Sequence, residues 1–263
     1  MSKRICFLIL LGYSYFSHAE IKKLVIDGVY QQKNIYVQNY NSGSGVGYCA
    51  TEIKVNGNVT TDEVNSSSFE IDLANLHLKY GEKITIEIFH KDGCMPKILN
   101  MEDLRPKPTF VMLAANLTTE GLLNWTSEHE SGSLPFIIEQ FKWNKWIPVG
   151  EVIGKGSSEK NNYSFKVPLT SGENKIRIKQ IGLGNAVKVS QEIKVTSNKN
   201  KPKYVYNKNT QTIEFSDETM FEVYDVYGNV VKRGFGNKVE CQNLPKAVYY
   251  LCFDKDVVEL NKD

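Results

Sequence analysis

Phe221-Glu-Val-Tyr-Asp-Val-Tyr-Gly-Asn-Val-Val-Lys-Arg-Gly234 and Val239-Glu-Cys-Gln-Asn-Leu-Pro-Lys-Ala-Val-Tyr-Tyr-Leu-Cys-Phe-Asp254 decide the fold class. Apolar residues alternate at Phe221 and Val223, resume at Val231, and alternate again at Val248, Tyr250 and Cys252. A period of two puts one set of side chains on a buried face and the other towards solvent, as a half-buried β-strand requires. Gly228-Asn229 and Gly234-Phe-Gly236-Asn237 offer the positive-φ positions of turns between such strands. The stretch predicts a small antiparallel β-unit over 204–263.

The same pattern extends upstream. Aromatic and β-branched residues are abundant, Gly/Asn/Ser turns recur, and long segments of period 3.6 are missing. The expectation is an all-β chain: tandem β-sandwich domains followed by the C-terminal unit. Residues 1–19 read as a secretory signal peptide, with a basic start at Lys3-Arg4, an apolar run from Ile5 to Leu11, and Ser17-His18-Ala19 as the small-residue cleavage site. That run is too short to cross a bilayer of about 30 Å, and no later stretch has the length of a membrane helix. Without Lys3 and Arg4, thirty basic residues face thirty acidic ones. A near-zero charge with no basic stripe argues against a dedicated nucleic-acid partner.

The first domain is expected over 20–108. Glu52-Ile-Lys-Val-Asn-Gly-Asn-Val reads as a hairpin with an Asn-Gly turn, and Asp92-Gly93 as a second hairpin turn. Asn39 to Gly47 is a glycine-rich surface loop without the Gly-Lys-Ser/Thr ending of a phosphate-binding loop. Phe69-Glu-Ile-Asp and Ile84-Thr-Ile-Glu-Ile are loosely similar to the transthyretin-like regulatory modules attached to carboxypeptidases and outer-membrane proteins. Leu104-Arg-Pro-Lys-Pro is a stiff connector. The second domain is expected over 109–197. Its Leu123-Asn-Trp-Thr, Phe136-Ile-Ile-Glu and Ile176-Arg-Ile-Lys-Gln resemble fibronectin type III modules of Bacteroidota secreted proteins, which would make Trp125 a core residue. Residues 198–203 are a polar, basic linker. The C-terminal order Val-Tyr-Asp, Gly-Asn-Val-Val, Asn-Leu-Pro, Val-Tyr-Tyr-Leu resembles the sorting domain of type IX secretion cargo in Bacteroidota. Ala247 stands where that family has glycine, and an Asn-Pro opening is missing.

Four cysteines follow the signal, and four allow three pairings in an exported protein. Proximity favours Cys49 with Cys94 and Cys241 with Cys252; buried free thiols are the alternative. No Cys-x2-Cys or Cys/His spacing suits zinc, so neither metal nor cofactor is expected. His77, His90 and His129 fall in no catalytic motif. Glu70 and Asp72 share a strand face, where solvation accounts for them. The expectation is therefore not an enzyme. Trp143 and Trp146 are candidates for partner binding, as an aromatic platform for sugar or protein, with packing around an Asn144-Lys145 turn as the favoured alternative.

These readings and resemblances imply an exported, non-catalytic protein of the periplasm or outer membrane. It would dock through its β-domains on an outer-membrane or secretion complex. The alternative is type IX-secreted cargo at the cell surface or outside the cell, with carbohydrate- or surface-binding front domains.

Overall fold

The structure is a computed structural model that describes residues 21–42 and 46–262. The signal-peptide expectation and the centre of the glycine-rich loop lie outside the described residues. The chain is all-β, and the helical content of the described residues is three single 3₁₀ turns. Among the described residues no helix is long and apolar enough to cross a membrane.

Two compact units divide the chain. Among the described residues the first holds those within 21–27, 34–76 and 84–101; the second holds 28–33, 77–83 and 102–262. The first contains β1 (Ile21–Val29), β2 (Ile35–Gln38), β3 (Ala50–Val55), β4 (Asn58–Val59), β5 (Ser68–Ile71), β6 (Lys83–Lys91) and β7 (Lys97–Ile98). They form one sheet in the order β1-β6-β3-β4 and another in the order β5-β2-β7. Strict alternation in β6 buries Ile84, Ile86 and Ile88, while Ile35, Val37 and Ile71 are buried from the other sheet. Asn56 and Gly57 both take positive φ (50° and 81°), so the Asn-Gly turn joins β3 to β4 as its residues require. Asp92-Gly93 is a turn but not a hairpin, because β6 and β7 belong to different sheets. Cys49 and Cys94 are disulfide-bonded across that change of sheet.

The second unit begins with β8 (Val111–Leu117), β9 (Leu122–Glu128), β10 (Pro135–Lys142), β11 (Lys145–Ile153), β12 (Asn161–Lys166), β13 (Gly172–Ile181), β14 (Val187–Val189) and β15 (Ile193–Ser197). A three-stranded sheet β12-β9-β8 opposes the sheet β11-β10-β13, to which β14 and β15 both add along β13. Two antiparallel sheets in this order make a fibronectin type III-like sandwich. Trp125 is 2 % exposed at its centre, stacked on Tyr163 at 5.2 Å and edge-on to Phe136 at 5.7 Å.

The chain ends in one antiparallel sheet made of β16 (Tyr204–Asn207), β17 (Thr212–Tyr224), β18 (Val230–Glu240), β19 (Ala247–Phe253) and β20 (Asp256–Lys262). The order is β16-β17-β19-β20, with β18 on the other edge of β17. Two expectations need correction. The core face of β19 is Tyr249, Leu251 and Phe253, not Val248, Tyr250 and Cys252. Both parities of this strand are apolar, so periodicity alone does not arbitrate; pairing Val223 with Leu251 and Phe221 with Phe253 does. Gly234-Phe-Gly236-Asn237 is not a turn but the middle of β18. Gly234 stands opposite Phe221, whose ring would lie 2.9 Å from a β-carbon there. The turn itself is at Gly228, with φ of 83°.

Candidate binding site

The second sandwich and the C-terminal sheet meet at a polar junction built from the tip of the β10–β11 hairpin. Lys142 pairs with Lys145, which makes Trp143 and Asn144 the two-residue turn, with φ of 49° and 58°. The turn is thus one residue earlier than the expected Asn144-Lys145. Positive φ at both centres is the type I′ geometry that suits strand twist, and a tryptophan there is sterically disfavoured. Trp143 keeps this place with its indole Nε1 buried and without a hydrogen-bond partner. The ammonium groups of Lys142 and Lys145 lie 5.7 and 5.9 Å from its ring.

The Lys145 ammonium donates to Glu222 Oε2 at 2.9 Å and to the Tyr224 hydroxyl, and Tyr224 donates to the same carboxylate. Burial acts to raise the Glu222 carboxyl, but the hydrogen bonds from Tyr224 and Lys145 outweigh it and hold its pKa below the ordinary value. Burial likewise opposes the charge on Lys145, and the same two partners leave its pKa raised. At the other side of the junction Ser171 donates its backbone N–H to Asp254 Oδ1 at 2.8 Å and its hydroxyl to Oδ2 at 2.6 Å. Asp254 is 3 % exposed. Lys201 adds an ion pair to Asp256 at 2.6 Å.

Lys142 is the residue that fits least comfortably. It is 4 % exposed, and among the described residues its ammonium donates to the thioether of Met220 at 3.7 Å and to no oxygen. Burial pushes its pKa down to about 8, against the field of Asp254 and Glu222. Reasoning from the sequence passed over it, although a signal was there: Lys142 shares the inward parity of Phe136 and Ile138 on β10. It also passed over Glu130, 1 % exposed within a loop that looks merely polar. Glu130 accepts from Ser127 Oγ (2.6 Å), Tyr163 OH (2.7 Å), Asn161 Nδ2 (3.2 Å) and the Gly156 N–H (2.8 Å). These are neutral donors holding a structural carboxylate.

Of the residues singled out from sequence, Trp146 is half-buried on the outer face of its sheet. Phe141 meets it edge-on at 5.3 Å and the Arg177 guanidinium covers it at 4.3 Å. Arg177 is held in turn by Glu139 at 2.6 Å. Trp143 lines a hollow with Tyr224, Tyr250 and Val257 of the C-terminal sheet, and Trp146 lines another with Phe221, Arg233 and Phe235 of the same sheet. Cys241 and Cys252 are both buried free thiols. The pairing that proximity favoured for them is overturned, because Cys241 lies in the core while Cys252 points to the opposite face of β19. Glu70 accepts from Asn34 at 2.6 Å and Asp72 caps the N–H of Ala74 at 3.0 Å. Among the described residues no group of three His, Cys, Asp or Glu side chains could hold a metal.

No protein-family model and no curated protein matches the chain. Solved structures with some likeness include a tetra-tandem repeat from the extending region of a large adhesion protein. It is 9 % identical, with 91 % of this chain and 73 % of that one covered and a TM-score of 0.32. A biofilm-associated protein BSP domain is 12 % identical over 90 % of this chain and 62 % of that one, with a TM-score of 0.25. The FN1–FN3 domains of chicken CNTN1 are 12 % identical over 94 % and 90 %, with a TM-score of 0.24. Scores this low reflect a common strand content, and no functional reading rests on them.

Proposed function

We propose that this is an exported, non-catalytic binding protein of a bacterial cell envelope, with a sandwich over 20–108, a fibronectin type III-like sandwich over 109–197 and a β-unit over 204–263 that serves as a retained module. Its partner is a protein of an outer-membrane or secretion complex. The observation that carries this reading is the junction. Lys145–Glu222–Tyr224 and Ser171–Asp254 fasten the last sheet to the sandwich before it, an arrangement suited to a permanent part and wasteful in a tail made to be removed. The docking element is β18, whose eleven residues pair on one side with β17 and on the other with no strand among the described residues. An open edge of this length is a template for strand addition. Lys232, Arg233 and Lys238 outnumber Glu240 along it, which favours an acidic strand as the incoming segment.

Fractionation of the native cells followed by intact mass tests the reading. Recovery with the envelope of a chain that still contains 204–262 supports it. A chain found outside the cell and truncated near residue 200 replaces it with type IX cargo, whose front domains would then carry carbohydrate or surface binding.

A further inference from the structure

Beside the junction lies a cavity of about 470 Å³, within the range of small-molecule sites. Its lining includes the buried Lys142 and Asp254 together with Lys199, Asp217 and Glu218. Asp217 and Glu218 reach it because β17 is interrupted there. Glu214 pairs with Lys238 and Thr219 with Gly236, so the four residues 215–218 lie opposite Asn237 alone. Such interruptions re-aim side chains and occur next to functional sites.

A cation that is 4 % exposed normally has an anionic or carbonyl oxygen within reach; Lys142 has a sulfur. It carries three donors, and the open side of the ammonium is the cavity. Asp254 is felt by Lys142 through its charge, but its recorded hydrogen bonds are from Ser171, and it forms no ion pair with Lys142 among the described residues. The charges that line the cavity are two lysines and three carboxylates, Asp217, Glu218 and Asp254, the last hydrogen-bonded by Ser171. A simple anion would satisfy Lys142 and meet repulsion from the carboxylates, and a simple cation the reverse. A molecule bearing both charges satisfies both. Leu169, Met220 and Phe235 supply an apolar wall for the rest of it.

We propose that this cavity binds a small zwitterion of the α-amino-acid class, with its carboxylate on the Lys142 ammonium and its own ammonium towards Asp217 and Glu218. The low pKa of about 8 agrees with a lysine whose counter-ion is supplied from outside, and still leaves it mainly protonated at neutral pH.

The test uses the full chain and three matched probes: L-leucine, L-leucinamide, which lacks the carboxylate, and 4-methylpentanoate, which lacks the ammonium. Side-chain NMR of Lys142 and of the Met220 methyl follows each titration. Leucine is expected to give saturable shifts at both residues in the millimolar range, with each analogue and the Lys142→Met variant weaker by about tenfold or more. Failure of leucine to saturate, or 4-methylpentanoate binding as tightly as leucine, overturns the proposal. If Lys142→Met does not fold, the comparison of the three probes on the unaltered chain decides alone. The outcome is independent of where in the cell the protein resides.

Discussion

Lys142 gives the sharpest prediction at the scale of single residues. Its folded pKa of about 8 lies below the ordinary lysine value of 10.5 because burial disfavours the charged form. Below pH 8 the folded and unfolded states both hold the proton, and the cost of burying the charge is present in full. Between about pH 8 and 10.5 the unfolded state holds more proton than the folded one, so stability rises with pH across that window. The cost corresponds to roughly 3 kcal/mol. Lys142→Met keeps the stem and removes the charge. Without ligand it should be the more stable protein at pH 7 by chemical denaturation, and its advantage should shrink towards pH 10. An advantage that stays constant with pH would contradict the assignment. Asp217, Glu218, Lys199, Asp254 and Glu222 surround the same group, and they are unaltered in the comparison. Glu130 predicts the opposite sign. Glu130→Ala strands the donors of Ser127, Tyr163, Asn161 and Gly156 inside the sandwich and should cost about 3 kcal/mol or more. Urea unfolding measures it, and a cost within about 0.5 kcal/mol, the level of an ordinary surface change, would refute the structural role.

At the scale of elements, what the sequence made legible depended on contrast between the two faces of a strand. β6 alternates Ile with polar residues and could be read from sequence alone. β19 is apolar on both faces because one packs on the core and the other lies against the junction, where Cys252 is buried near Trp143 and Tyr224. Its facing was therefore open until the register with β17 settled it. That same facing fixes the thiol chemistry: Cys241 and Cys252 cannot meet, whereas Cys49 and Cys94 are bonded. Alkylation of denatured, unreduced protein should label Cys241 and Cys252 and spare Cys49 and Cys94. Label on all four would contradict the disulfide, and on none of them the free pair. Closing a loop with a sequence separation of 45 is worth about 2–4 kcal/mol, so reduction should lower the denaturation midpoint of the first unit. β18 was misjudged for a different reason. Gly234 and Gly236 look like turn residues, yet Gly234 is there to let the Phe221 ring lie against the backbone.

At the scale of the whole molecule, the fold class was legible from the strand pattern, and the central Trp125 from the resemblance to fibronectin type III modules. The candidate site was not. It is made by residues from four separate places, Lys142, Ser171, Asp217 and Asp254, which only the docking of one sheet on another sandwich brings together. The local sequence around each of them reads as an ordinary polar turn or strand end. The proposed function requires residues 204–262 to be a fixed part of the body formed with 109–197. Limited proteolysis within the 198–203 linker, followed by size-exclusion chromatography of the nicked protein under native conditions, tests it most directly. The account predicts that the two fragments co-elute as one species, held by Lys145–Glu222, Ser171–Asp254 and the surrounding contacts. Separation of the C-terminal fragment from the folded sandwich would contradict it and return the last sheet to the role of a detachable tail.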